Sequence, residues 1–154
     1  MDELSPKDFA VDYRVAWSDL DVNAHMRNTA YLDYCGDVRL RFFDHFGFSL
    51  SYFQQQGIGP VVLRDEVDYL RELRALEHVR VRLLLAGLSA DRRRYRFRNE
   101  FVRDDGKLAA RVTSTAVWLE QRQRKVVVPP QAMIDLICAL ARSEDFAELE
   151  DRPV

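Results

Sequence analysis

Residues 11 to 17 alternate in character. Val11, Tyr13, Val15 and Trp17 fall on one side and Asp12 and Arg14 on the other. A period of two over this length predicts a half-buried strand. From Asn28 to about Phe46 the period changes. Tyr31, Tyr34, Cys35, Val38, Phe42 and Phe46 recur three or four apart, which places them on one face of a helix. Asn28 suits its N-cap and Gly47 the position just past its end. Asp37 and Arg41 form an i,i+4 pair on its surface. "SLSYFQQQG" reads as a short helical turn closed by Gly57. The run from Val61 to Leu70 is strand-like although "RDE" interrupts it. Val79, Val81, Leu83 and Leu85 alternate with Arg80 and Arg82. Tyr95, Phe97 and Phe101 alternate with Arg94, Arg96 and Arg98, and Leu108 to Leu119 is rich in β-branched and apolar residues. "SADR" and "RDDGK" are turn sequences between these strands. Pro129 and Pro130 stop the last strand, and Met133, Ile134, Ile137 and Leu140 mark one face of a terminal helix. The tail "SEDFAELEDRPV", from about 143 to 154, is acidic and expected to fray.

The layout is one strand, a long helix, then about four strands joined by short turns. Such spacings favour antiparallel hairpins over parallel crossovers. The fold class is therefore α+β: a single domain over 1–154, with an antiparallel sheet wrapped around a long central helix. Sheet edges left open would be covered by pairing between subunits, so a homodimer or a dimer of dimers is expected.

Composition narrows the function. The chain has 154 residues and a net charge of -2, so no global field points to nucleic acid. No stretch reaches the ~18 apolar residues of a membrane span. The acidic start "MDELSPKDF" carries no apolar run of a signal peptide. Cys35 and Cys138 lack metal-ligand spacing and read as reduced thiols of a cytoplasmic protein, a disulfide being the alternative. Neither a metal nor a cofactor is expected.

The segment "WSDLDVNAHMRNTAYLDY", residues 17 to 34, gathers Asp19, Asp21, Asn23, His25 and Asn28 just before the long helix. With that helix and sheet, it resembles the hot-dog-fold thioesterases, close to the 4-hydroxybenzoyl-CoA thioesterase-like group. The segment alone also resembles the plant acyl-ACP thioesterases. The shared pattern is roughly D-x-D-x-x-G-H-x-N-N-x-x-Y, carried here by Asp19, Asp21, His25, Asn28 and Tyr31. "GKLAARVTSTAVWLEQRQRK" before Pro129 is similar to the last strands of that group. Two positions depart from the pattern. Ala24 replaces the glycine, which suggests a negative φ there, and Arg27 replaces the first asparagine, adding a charge beside the pocket.

The resemblance implies hydrolysis of an acyl thioester of coenzyme A, with acyl carrier protein as the alternative carrier. Thioester hydrolysis needs a group to polarise the carbonyl and a base or nucleophile. Free N–H groups at a helix start suit a developing oxyanion. The resemblance makes Asp21 the base or nucleophile, with Asn23 and His25 holding or polarising water, and the backbone N–H near Asn28 would bind the thioester oxygen.

Plainer roles stand beside these. Asp21 and Asn23 are good turn residues, Asp19 suits the closing of the strand end, and His25 can simply satisfy backbone groups. The Asn28 side chain suits a cap. Arg92, Arg93, Arg94, Arg96 and Arg98 read as a solvated strand face, one or two of which could grip the phosphates of coenzyme A. Glu66 and Asp68 read as surface residues, Cys35 as a buried filler, and His45 and His78 as incidental. Two other functions compete. "DVNAH" distantly resembles the D-x-N-P-x-H segment of hot-dog enoyl-CoA hydratases, but its His comes one position early and the proline is absent. A non-catalytic acyl-CoA-binding protein is the other.

Overall fold

The computed structural model describes residues 4–152. The first three residues of the acidic start and the last two of the tail lie outside the described residues. The alternating segment forms strand β1 (Ala10–Arg14), paired antiparallel with β3 (His78–Ser89). Helix α1 (Ala30–His45) and a short α2 (Leu50–Gln56) come next. Then follow β2 (Ile58–Tyr69), β3, β4 (Arg94–Arg103), β5 (Leu108–Glu120), the two-residue β6 (Lys125–Val126), α3 (Gln131–Cys138) and β7 (Arg142–Leu149). The sheet runs β1-β3-β4-β5-β2, and its neighbours along this path are antiparallel.

Helix α1 lies in the curl of the sheet. Tyr31, Cys35, Val38, Phe42 and Phe43 are buried against Phe97, Phe101, Val112 and Trp118. Its start differs from expectation: Thr29, not Asn28, is the N-cap position. Thr29 already has helical backbone angles and its side chain makes no capping bond. Its Oγ1 instead accepts from Arg27 Nε at 3.1 Å. The other end follows the sequence. Gly47 has φ +96°, with Phe48 N–H to Phe43 O at 2.8 Å and Gly47 N–H to Asp44 O at 3.2 Å, the paired bonds of a Schellman stop. Cys35 is a buried filler whose thiol is pushed up to about 12 by burial. Cys138 is exposed, and both thiols are free.

The acidic tail corrects a prediction. Instead of fraying, residues 142–149 form β7, parallel to β3 beside Leu85 and Gly87–Ser89. It extends the sheet where β1 stops, since β1 covers only His78–Arg82. Half-buried Phe146, with Arg142 over its ring at 4.1 Å, and the pair Arg98–Asp145 hold it there.

In β2, the "RDE" stretch lies within the strand, not across a break. A bulge at Leu63 resets the alternation: Val62 faces Ala116 while Asp65 faces Ser114. Asp65, not Glu66, thereby turns to the α1 side. The strand pairs with β5 on one edge, and its other edge is open among the described residues.

Candidate active site

The loop between β1 and α1 is a hydrogen-bonded turn built on Asp21. Its N–H donates to His25 O at 2.9 Å, and its carbonyl accepts from Ala24 N–H at 3.0 Å. Its Oδ1 accepts from Asn23 N–H at 2.8 Å and from His25 N–H at 3.4 Å. The turn role is therefore real, and it orients the carboxylate: Oδ2 has no hydrogen-bond partner among the described residues. Ala24 sits at φ +59°, the reverse of the negative φ expected from its side chain. The turn has kept the geometry of a glycine while carrying a Cβ.

Asp21 faces an open cleft of about 310 Å³, walled by His25, Asn28, Tyr31, Tyr69, Arg71 and Glu72. The far wall is the end of β2 and the segment after it. Met26 N–H donates to Leu73 O at 2.7 Å and tethers the loop to that segment. Tyr69 Oη–H donates to Asn28 O at 3.0 Å, and its ring meets Tyr31 edge-on at 5.4 Å. Tyr31 is held un-ionised, its phenol pushed up to about 12 by burial and then by the negative charges it would share with Tyr69 and Asp21. Asn28 N–H has no backbone acceptor among the described residues, and it stands two residues before α1.

The expected residues divide clearly. Asp21, His25 and Asn28 come together on the cleft. Asn23 does not: it is exposed and meets Asp21 through its backbone N–H. Asp19 has the structural role expected, accepting from Tyr34 Oη–H at 2.5 Å and, through its carbonyl, from Arg27 N–H at 2.7 Å. Burial, then that contact, pushes the Tyr34 phenol up to about 12. Arg27 turns away from the cleft, toward Ser18 O at 2.5 Å and Asp19 at 3.7 Å, so its charge does not enter the pocket. Glu66 and Asp68 pair on the surface with Arg64 and Arg111 at 2.8 and 2.9 Å. Arg96 and Arg98 donate to Thr115 and Thr113 on the sheet face opposite α1. His78 is not incidental: it bridges Asp104 at 2.5 Å and Asp12 at 2.9 Å, away from the cleft.

Tyr69, Arg71 and Glu72 escaped the sequence reading. Their segment lies about fifty positions from Asp21 in sequence, and the signal that brings it close is the edge position of β2, which no local pattern reports. Among the described residues, no group of three or more metal-ligating side chains is gathered and no helix is long and apolar enough to cross a membrane.

The sequence profile of the thioesterase-like superfamily matches residues 15–137, which span the Asp21 turn, α1, α2, β2 to β6 and most of α3. The fold is shared with solved structures at low identity. A Staphylococcus aureus protein determined in complex with CoA superimposes with a TM-score of 0.80 at 20% identity, over 99% of this chain and 100% of that one. The 1,4-dihydroxy-2-naphthoyl-CoA thioesterase of Synechocystis gives 0.76 at 19% identity, over 84% of this chain and 95% of its own. A DHNA-CoA thioesterase of Staphylococcus aureus gives 0.72 at 19%, over 84% and 86%. A helix cradled by a curled sheet, with an acidic turn at its start, thus has its place: the chain belongs to the thioesterase-like superfamily and has the hot-dog fold.

Proposed function

We propose that the protein is an acyl-CoA thioesterase that hydrolyses an acyl thioester to the free acid and thiol. The observation that carries this is the Asp21 carboxylate, pinned by two backbone N–H groups through Oδ1 and facing the start of α1 across an open cleft. Oδ2 takes a proton from water as the water oxygen bonds to the thioester carbon. The alternative is that Oδ2 attacks that carbon itself and water releases the resulting anhydride. In either case the carbonyl oxygen gains negative charge, which the Asn28 N–H and the positive end of α1 stabilise. The C–S bond then breaks and the thiolate leaves to take up a proton. His25 borders the attacked carbon and orients water, while Asn23 acts only by holding Asp21. Tyr69 positions Asn28 through its carbonyl.

The carrier is coenzyme A in this reading, supported by the family and by a structural relative determined with CoA. The protein works as a homodimer through the open edge of β2. Free thiols, one of them exposed, fit a reducing compartment such as the cytoplasm.

The test is thiol release from a panel of acyl-CoAs by wild type and Asp21→Asn. Wild-type turnover that falls by about a hundredfold or more in the variant supports the reading. Undiminished turnover in a folded Asp21→Asn protein overturns it.

A further inference from the structure

A second cavity, about 500 Å³, opens between α1, α2 and β2. It is lined by apolar side chains, among them Leu40, Phe43, Phe53, Val62, Phe97 and Ala116. Its lining residues are distinct from those of the Asp21 cleft, but the same two elements flank both. The cleft lies between Tyr31 of α1 and Tyr69 of β2, and the cavity between Arg39 of α1 and Val62 of β2, so both belong to one α1–β2 groove. From Ala30 to Arg39 is roughly 13 Å along the helix axis.

One wall of this apolar chamber is charged. Arg39 Nε and Nη2 donate to Asn99 Oδ1 at 3.2 and 3.0 Å, and Nη2 donates to Ser114 Oγ at 2.6 Å. The Ser114 hydroxyl in turn donates to Asp65. Asn99 and Ser114 are fully buried and Asn99 is anchored by Arg82 O at 3.3 Å, so the guanidinium plane is fixed. Nη1 has no hydrogen-bond partner and Arg39 no ion pair among the described residues. An apolar acyl chain entering here would expel water from Nη1 and leave two N–H donors unmet, at a cost that favours a ligand bringing its own acceptor. The acceptor is best uncharged, because Asp65 already offsets the guanidinium through Ser114.

We infer that Arg39 is a specificity residue for the acyl group: the chamber takes a medium-length, otherwise apolar acyl chain that carries a hydroxyl or keto oxygen, which accepts from Arg39 Nη1. This rests on the thioesterase reading and names its substrate class. Dodecanoyl-CoA, its ω-hydroxy and mid-chain keto derivatives, and dodecanedioyl-CoA are the probes. Wild type should favour a hydroxy or keto chain over the plain one by about tenfold or more in kcat/KM, and Arg39→Met should abolish or reverse that preference. Gly36→Leu is the second variant. A Cβ there meets nothing within 4 Å, so the leucine grows into the chamber, and it should exclude long chains while leaving short-chain hydrolysis intact. Binding of non-hydrolysable thioether analogues, followed by calorimetry, separates the two readings. Oxygen preference in binding without hydrolysis of any thioester would sink the thioesterase reading and keep this one. A wild-type preference for the plain or the dicarboxylic chain, a preference unchanged in Arg39→Met, or a Gly36→Leu variant that alters dimerisation but not chain length would overturn it.

Discussion

At the scale of single residues, the Asp21 turn shows how a structural role can prepare a carboxylate for the proposed chemistry. The bonds that make Asp21 a turn residue occupy one carboxylate oxygen and leave the other without a partner among the described residues, on the cleft side. Ala24 carries a cost in the same turn, since a left-handed backbone burdens a residue with a Cβ by roughly 1 kcal/mol or more. Ala24→Gly should therefore leave stability unchanged or raise it by about 0.5 kcal/mol, after the extra freedom glycine gains in the unfolded chain. Urea denaturation of both proteins measures this, and a loss above about 1 kcal/mol would contradict the strained turn. The gathering of Asp21, His25 and Asn28 on one cleft was legible because they are near one another in sequence. The φ of Ala24 was not: residue type argued for one sign, and the closed ring of bonds around Asp21 imposed the other.

At the scale of elements, β7 is where local pattern failed. Five acidic residues in twelve read as a solvated tail. Their partners lie far off in sequence: Arg98 holds Asp145 through two bonds at 2.6 and 2.8 Å, and Gly87 leaves room for the strand. A Cβ on Gly87 would stand 2.8 Å from Leu149 Cδ2 and 3.0 Å from Ala147 O. Gly87→Ala should thus loosen β7 at a cost of about 1–3 kcal/mol, read as lower thermal stability and faster proteolysis after residue 140. The Arg98 hydrogen bonds, then Ser143, lower Asp145 to about 2. A lowered carboxyl stabilises the fold above its unfolded value near 3.9 and loses that contribution as pH falls toward about 2. His78 has the opposite sign. Hydrogen bonds to Asp104, then Asp12, raise it above its ordinary value, so its contribution is complete below about 6.5 and fades as pH rises through the raised value. His78→Gln should lower Tm near about pH 5 and leave it nearly unchanged near about pH 9. An equal shift at both would mean that charge is not what the residue contributes. These links join β1, β3 and the turn after β4, and strand alternation alone does not announce them.

At the scale of the whole molecule, the order of elements and their wrapping around α1 could be read from periodicity. The pairing order could not, because β2 precedes β3 in sequence yet lies at the far edge beside β5. That placement leaves Val61, Val62 and Leu63 exposed on a twelve-residue strand, with Leu32 and Leu40 of α1, Tyr69 and Leu70 nearby. An open, apolar edge of this length invites another strand, and a second copy of β2 running antiparallel would join two sheets into one and shelter the α1–β2 groove. The charges of Arg64 and Glu66 sit mid-strand, where they pair within one subunit at 2.8 Å. Each copy thus neutralises its own Arg64 and Glu66, so these charges need not oppose association. The pair Val61→Lys and Leu63→Lys places like charges face to face at the two-fold axis of the proposed dimer and should give a folded monomer by sedimentation equilibrium, against an expected twice the chain mass for wild type. Under the thioesterase reading the monomer should also lose most of its activity, because the α1–β2 groove would stay open to water on the side a second copy would cover. A double variant that remains dimeric would place the interface elsewhere. One that is monomeric and fully active would show that a single subunit completes its own site.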